Sequence, residues 1–70
     1  MNRINPRKLQ GSKWTATHPQ NKEKHFLVTR VIKEEEAVVS CVIEAVYSKR
    51  ETVLPWQELE NDEVWLMGWK

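Results

Sequence analysis

The sequence predicts a mainly β domain: a four-stranded, strongly bent antiparallel meander resembling an SH3-like half-barrel, with short helical turns at its N- and C-terminal ends. Residues 37–47 place apolar side chains at every second position, which is the period of a strand. Other segments rich in β-branched and aromatic residues alternate with short polar segments, as in strands joined by turns. A length of 70 residues fits one domain, spanning residues 1–70.

The first elements are short. Asn5 followed by Pro6 is typical of a helix start, with Asn as the cap and Pro at the first helical position. Gly11 is expected to end this helix after about one turn. Residues 12–17 alternate apolar and polar side chains and predict a half-buried strand, and residues 18–24 read as a polar loop.

The central segments predict three further strands, over residues 25–33, 37–47 and 51–54. Within the first of them, Phe26, Val28 and Ile32 are expected on one face, with Leu27 and Val31 on the other. The three successive glutamates at 34–36 repel one another and favour a solvated hairpin turn, whose type the sequence leaves open.

After residue 54 the chain turns helical again. Pro55 cannot donate to a strand ladder and suits the first turn of a helix over residues 55–60. Asp62 is a candidate cap for a second short helix, Glu63 to Met67, with Gly68 just beyond its end. A final strand over residues 64–69 is the alternative.

Large apolar side chains are expected to hold this small domain together, because a chain with one cysteine forms no internal disulfide. Four tryptophans dominate that set, and Trp56, Trp65 and Trp69 are expected to cover one face of the sheet. The predicted core consists of Trp14, Phe26, Val39, Cys41, Ile43, Leu54, Trp56 and Trp65.

Residues suited to catalysis or metal binding are sparse. Cys41 lies on the apolar side of a predicted strand, where a small buried hydrophobe is the natural interpretation. His18 and His25 have no cysteine or carboxylate at zinc-ligand spacing, and no phosphate-cradling glycine loop occurs. We therefore expect no enzyme activity, no cofactor and no metal. No signal peptide or membrane span is predicted, and the expected location is the cytoplasm.

Charge is distributed unevenly along the chain. Residues 1–33 contain eight lysines and arginines against one glutamate, a balance of +7, whereas residues 34–70 contain three against nine acidic residues, a balance of −6. Basic residues next to aromatic ones are typical of proteins that bind single-stranded RNA or another polyanion. The candidate residues are Arg7, Lys8, Lys13, Trp14, Lys22, Lys24 and His25. In the alternative interpretation, the two halves interleave and neutralise each other, while Trp14 and Phe26 face the core.

A second candidate surface lies near the C-terminus. Trp65 and Trp69 would be costly to leave in water, so they pack either on their own sheet or on a protein partner. The sequence thus predicts a non-enzymatic binding module for RNA or another polyanion, with a protein-interaction adaptor as the alternative.

Several strings resemble those of a family of short, tryptophan-rich bacterial proteins known only as a domain of unknown function. They are Asn5-Pro6-x-Lys8-Leu9, Ser12-Lys13-Trp14-Thr15, Pro19-x-Asn21-x-Glu23-Lys24-His25-Phe26, Glu44-Ala45-Val46-x-Ser48-Lys49-Arg50 and Trp65-x-x-Gly68-Trp69-Lys70. The resemblance covers essentially the whole chain and implies a small stand-alone domain. It implies no substrate and no catalytic residue.

Overall fold

The computed structural model describes residues 1–70 and consists of five strands and two short 3-10 turns. The strands are β1 (Lys13–Gln20), β2 (Glu23–Glu34), β3 (Ala37–Ala45), β4 (Glu51–Pro55) and β5 (Trp65–Met67). The 3-10 turns are η1 (Pro6–Lys8) and η2 (Trp56–Glu60). No helix in this structure is long and apolar enough to cross a membrane.

The strands form one antiparallel sheet in the order β4-β3-β2-β1-β5. The predicted bent meander is confirmed, but it has five strands, because the chain returns after η2 and adds β5 to β1. A meander whose last strand follows a 3-10 turn and pairs with its first strand has the strand order of an SH3-like barrel.

The predicted helix from Glu63 to Met67 is wrong, and the alternative strand is present. Trp65 pairs with Ala16, and its ring meets Phe26 edge-on, with the ring centroids 5.1 Å apart. Burial of this indole, which is 8% exposed, outweighs the local helix signals from Asp62 and Gly68.

Two hairpins close with two-residue turns. Asn21 and Lys22 between β1 and β2 have φ values of 54° and 64°, and Glu35 and Glu36 between β2 and β3 have 48° and 69°. Turns with positive φ at both central residues match the twist of the flanking strands. The polar loop predicted over residues 18–24 is therefore mostly strand, since residues 18–20 extend β1 and residues 23–24 begin β2.

Two bulges change which side chains face the core. In β2 the register shifts between Val28 and Arg30, so Thr29 is the extra residue and Val31 turns inward. Ile32, predicted on the face of Phe26 and Val28, instead points to the other face and is 37% exposed.

The second bulge interrupts the regular alternation predicted for β3. Ser40 pairs with Ile32 and Val38 pairs with Lys33, which leaves Val39 as the extra residue. Val38 therefore packs against the core, whereas Val39 is only half-buried. The strand also ends at Ala45, so Tyr47, predicted on its apolar face, is 66% exposed.

The core lies on one face of the sheet and is closed by the N-terminal turn and η2. Ten buried side chains form it: Leu9, Trp14, Phe26, Val28, Cys41, Ile43, Ala45, Leu54, Leu59 and Trp65. Six of the eight predicted core residues are among them. The other two, Val39 and Trp56, are half-buried. Trp56 packs against the cluster from its edge and donates its indole N–H to the Val38 carbonyl at 3.0 Å.

Candidate functional site

The basic residues of the N-terminal half remain free of ion pairs. The structure contains two salt bridges, from the N-terminal ammonium to Asp62 and from Arg50 to Glu23. None involves the eight exposed cations of that half, which are Arg3, Arg7, Lys8, Lys13, Lys22, Lys24, Arg30 and Lys33. Although strands of the two halves lie side by side, their side chains do not neutralise each other in pairs.

The sheet face opposite the core, here called the outer face, carries several of the candidate residues. Cross-strand pairing places Lys13, Leu27 and Glu44 in one row, which ends at Glu51 on β4. Positive charge therefore lies at the β1 side of this face and negative charge at the β3–β4 side.

Trp69 lies against the β1–β2 part of the outer face. Its indole N–H donates to the Phe26 carbonyl at 3.0 Å. Thr15 donates its hydroxyl to the Gly68 carbonyl and accepts from the Lys70 amide at 2.9 Å, while the Gly68 amide donates to the Lys13 carbonyl. These bonds hold residues 68–70 on the sheet beyond the end of β5.

Lys13, His25 and Trp69 form a cluster, here called the Trp69 cluster. The Lys13 ammonium lies 4.7 Å from the centroid of the indole ring, within the range of a cation–π interaction. The imidazole of His25 lies 5.8 Å from the same ring at an interplanar angle of 32°. Trp69 is nevertheless 44% exposed, so part of its ring is open to a ligand.

Trp14 and Trp65 were among the predicted binding-surface residues, but both are buried in the structure. Trp14 is 1% exposed, and its indole N–H donates to the Ser12 hydroxyl at 2.9 Å. A ring so enclosed has no face on which a base could stack, because strand alternation turns it into the core while Lys13 points outward. Trp65 is buried for the same reason, and only Trp69 lies on the outer face, contrary to the prediction that all three C-terminal tryptophans cover one face.

The remaining predicted residues lie elsewhere on the surface. Arg7 and Lys8 belong to η1 and border two separate shallow grooves beside it. Lys22 and Lys24 lie at the β1–β2 turn, where the Lys22 ammonium is 6.0 Å from the centroid of the Tyr47 ring. The structure thus joins Lys13 and His25 and separates them from Arg7 and Lys8.

Glu23 has a structural role between Lys22 and Lys24. It is 5% exposed and accepts hydrogen bonds from the Arg50 guanidinium and the Ser48 hydroxyl. These two donors lower the pKa of the Glu23 carboxyl from 4.5 to about 2. The ion pair fastens the β1–β2 hairpin to the β3–β4 connection.

The groups that could support chemistry do not gather into a site. Histidine, cysteine and acidic side chains form no group of three or more arranged to hold a metal ion. Burial, assisted by the nearby Glu58 carboxylate, raises the pKa of the Cys41 thiol to about 11, so the reactive thiolate is disfavoured.

Sequence reasoning missed that Trp69 shares a cluster with Lys13 and His25. The sequence suggested a basic N-terminal surface and a separate aromatic C-terminal surface. In the structure, the two surfaces share the Trp69 cluster. No local pattern signals this, since residues 13 and 69 come together only when β5 pairs with β1.

Comparison with known proteins confirms the resemblance found in the sequence. A model of the tryptophan-rich protein family DUF2389 matches residues 12–70. The chain belongs to this family. The matched residues contain all five strands and the whole Trp69 cluster, whereas η1 with Arg7 and Lys8 precedes them. Searches of curated proteins and of solved structures find no match.

Proposed function

We propose that this domain is a non-enzymatic module that binds single-stranded RNA or a chemically similar polyanion through the outer face. The observation that carries the proposal is the Trp69 cluster, in which the indole of Trp69, a residue 44% exposed, lies beside the Lys13 ammonium and the His25 ring. Single-strand binders combine aromatic surfaces on which bases stack with cations that contact the phosphates.

The way Trp69 is held supports this use. Its indole N–H and the neighbouring backbone are hydrogen-bonded to the sheet, so the ring has little freedom to lose when a base stacks on it. Such pre-organisation lowers the entropic cost of binding.

The distribution of charge on the outer face favours one path for the bound RNA strand. Lys13 lies at one end of its cross-strand row, while Glu44 and Glu51 lie at the other. A phosphate backbone is attracted to the first end and repelled by the second, so the bound strand follows β1 and residues 68–70. The replacement Glu44→Gln should strengthen binding modestly.

The test is a titration with a short labelled oligouridylate, followed by fluorescence anisotropy at two salt concentrations. Trp69→Phe keeps an aromatic ring and should retain most of the affinity, whereas Trp69→Leu should lose about 1–3 kcal/mol of binding free energy. Unchanged affinity in Trp69→Leu, with its fold intact by amide NMR, contradicts the proposal.

A matched pair of lysine variants separates this cluster from general attraction by charge. Lys13→Ala should weaken binding across sequences and reduce the slope of log affinity against log salt by about 1. Lys33→Ala removes the same charge at the far end of β2 and should have a smaller effect. Equal effects of Lys13→Ala and Lys33→Ala would show a diffuse electrostatic contact instead.

Polyphosphate, which has charge but no bases, should compete poorly with the oligouridylate.

The adaptor alternative has its own observation. Four apolar side chains near the C-terminus are 37–49% exposed: Val64, Leu66, Met67 and Trp69. Leu66 pairs with Thr15 on the outer face and Met67 pairs with Trp14 on the core side, so the edge strand β5 offers exposed apolar side chains on both sides to another protein. If this is the function, Met67→Ser and Leu66→Ser should abolish capture of one defined protein from nuclease-treated lysate, and RNA affinity should be absent from the parent.

A further inference from the structure

A second exposed aromatic ring lies near a lysine of the β1–β2 hairpin. Tyr47 is 66% exposed in the connection between β3 and β4. The Lys22 ammonium lies 6.0 Å from the centroid of its ring. This pair repeats the arrangement of Lys13 and Trp69, again with the lysine from the β1–β2 hairpin and the ring from the C-terminal half.

The backbone on both sides of Tyr47 is fixed. On one side the Val46 amide donates to the His25 carbonyl at 2.9 Å. On the other side Ser48 and Arg50 donate to the Glu23 carboxylate. An exposed tyrosine on an anchored connection offers a ring whose position is set before any ligand arrives.

His25 connects this place to the Trp69 cluster. Its ring contacts Trp69, while its backbone carbonyl binds the residue before Tyr47. Lys22 in the β1–β2 turn and Lys24 at the start of β2 are both unpaired cations, because Glu23 between them is already paired with Arg50.

We propose that Tyr47 and Lys22 form a second contact point for single-stranded RNA, at which a base stacks on the tyrosine and the lysine contacts a phosphate. This inference rests on the proposed function and deepens it. The RNA strand runs from the Trp69 cluster past His25 toward the β1–β2 turn, and a strand too short to reach Tyr47 gains nothing from it.

The test is a length series of oligouridylates from about two to about eight nucleotides, a range that reaches the site sizes of small single-strand binders. Affinity is measured for the parent, Tyr47→Leu, Tyr47→Phe and Val53→Ala. Val53 is a matched control, because it is 58% exposed but pairs with Val42 on β4 and belongs neither to the Trp69 cluster nor to the Tyr47–Lys22 pair.

For the parent and for Tyr47→Phe, affinity should rise by about 5- to 150-fold once the oligonucleotide reaches the second ring, as one further stacked base implies. Tyr47→Leu should bind the shortest oligonucleotides like the parent and lack that rise. Lys22→Ala should lower the salt slope by about 1 only for the longer ones.

The outcomes separate the two proposals. If Trp69→Leu loses affinity while Tyr47→Leu follows the parent at every length, the second contact is refuted and the first stands. Equal loss in Tyr47→Leu at every length also refutes it, since the tyrosine would then be part of the primary contact. A parent that binds no oligonucleotide of any length overturns both.

Discussion

The ammonium of Lys13 lies 4.7 Å from the centre of the Trp69 ring, although 55 residues separate them along the chain. The contact exists because β5 pairs with β1 and residues 68–70 then cross onto the outer face. It brings together the free positive charge of the N-terminal half and an exposed tryptophan of the C-terminal half. The proposed binding face depends on this meeting.

Replacement of Trp14 should cost the most stability of any tryptophan. Trp14 is 1% exposed and central to the core, so Trp14→Ala should lower the free energy of unfolding by about 3–5 kcal/mol. Trp56 is half-buried, and Trp56→Ala should cost about 1–3 kcal/mol, including its hydrogen bond to Val38. Urea unfolding measures both, and a larger loss for Trp56 would contradict the observed packing.

Removal of residues 65–70 should unfold the domain. The deletion takes away β5, the buried Trp65 ring and the hydrogen bonds that residues 68–70 make with Thr15. The amide NMR spectrum of the truncated chain should lose its dispersion. Trp69→Leu is the control, because it leaves β5 intact and should keep a dispersed spectrum. A folded truncated chain would show that the segment is a docking surface only.

Stability should fall in acid because of Glu23. Its pKa is about 2 in the folded protein against 4.5 ordinarily, so the unfolded chain takes up the proton first as pH falls. The stabilisation from Arg50 and Ser48 is complete above about pH 4.5 and is lost progressively toward about pH 2. In the Glu23→Gln variant, the urea midpoint should vary less with pH across this window. A pH dependence equal to that of the parent would contradict the role given to this carboxylate.

The turn between β2 and β3 should be improvable. Glu35 and Glu36 both adopt positive φ, which costs most side chains energy and favours Asn and Gly. The double replacement Glu35→Asn/Glu36→Gly should raise the free energy of unfolding by about 1 kcal/mol and Tm by about 4–8 °C. Thr52→Gly, on the extended backbone of β4, should lower Tm instead. A lower Tm for the double variant would refute this account of the turn.

The regular parts of the fold were predictable because each rests on a local pattern. Alternating apolar residues located β2 and β3, Pro55 ended β4, and Asn5 with Pro6 began η1, where the Asn5 side chain accepts from the Arg7 amide at 3.0 Å. These signals act over a few neighbouring residues.

The incorrect predictions concern features that depend on contacts between residues far apart in the sequence. The bulges at Thr29 and Val39 have no local signature, yet each reverses the faces of the residues beyond it. The last strand forms because Trp65 pairs with Ala16 and packs against Phe26, although Asp62 and Gly68 are good helix boundaries. The Trp69 cluster was missed for the same reason, since its members meet only in the folded sheet.

The most direct test of the proposed binding face follows the tryptophan indole N–H signals by NMR during titration with a short oligouridylate. If the outer face binds RNA, the Trp69 signal should shift, together with the amides of Thr15 and His25, while the buried Trp14 signal should stay in place. Movement of the Trp14 signal with Trp69 unchanged, or shifts confined to η1 around Arg7 and Lys8, would contradict it.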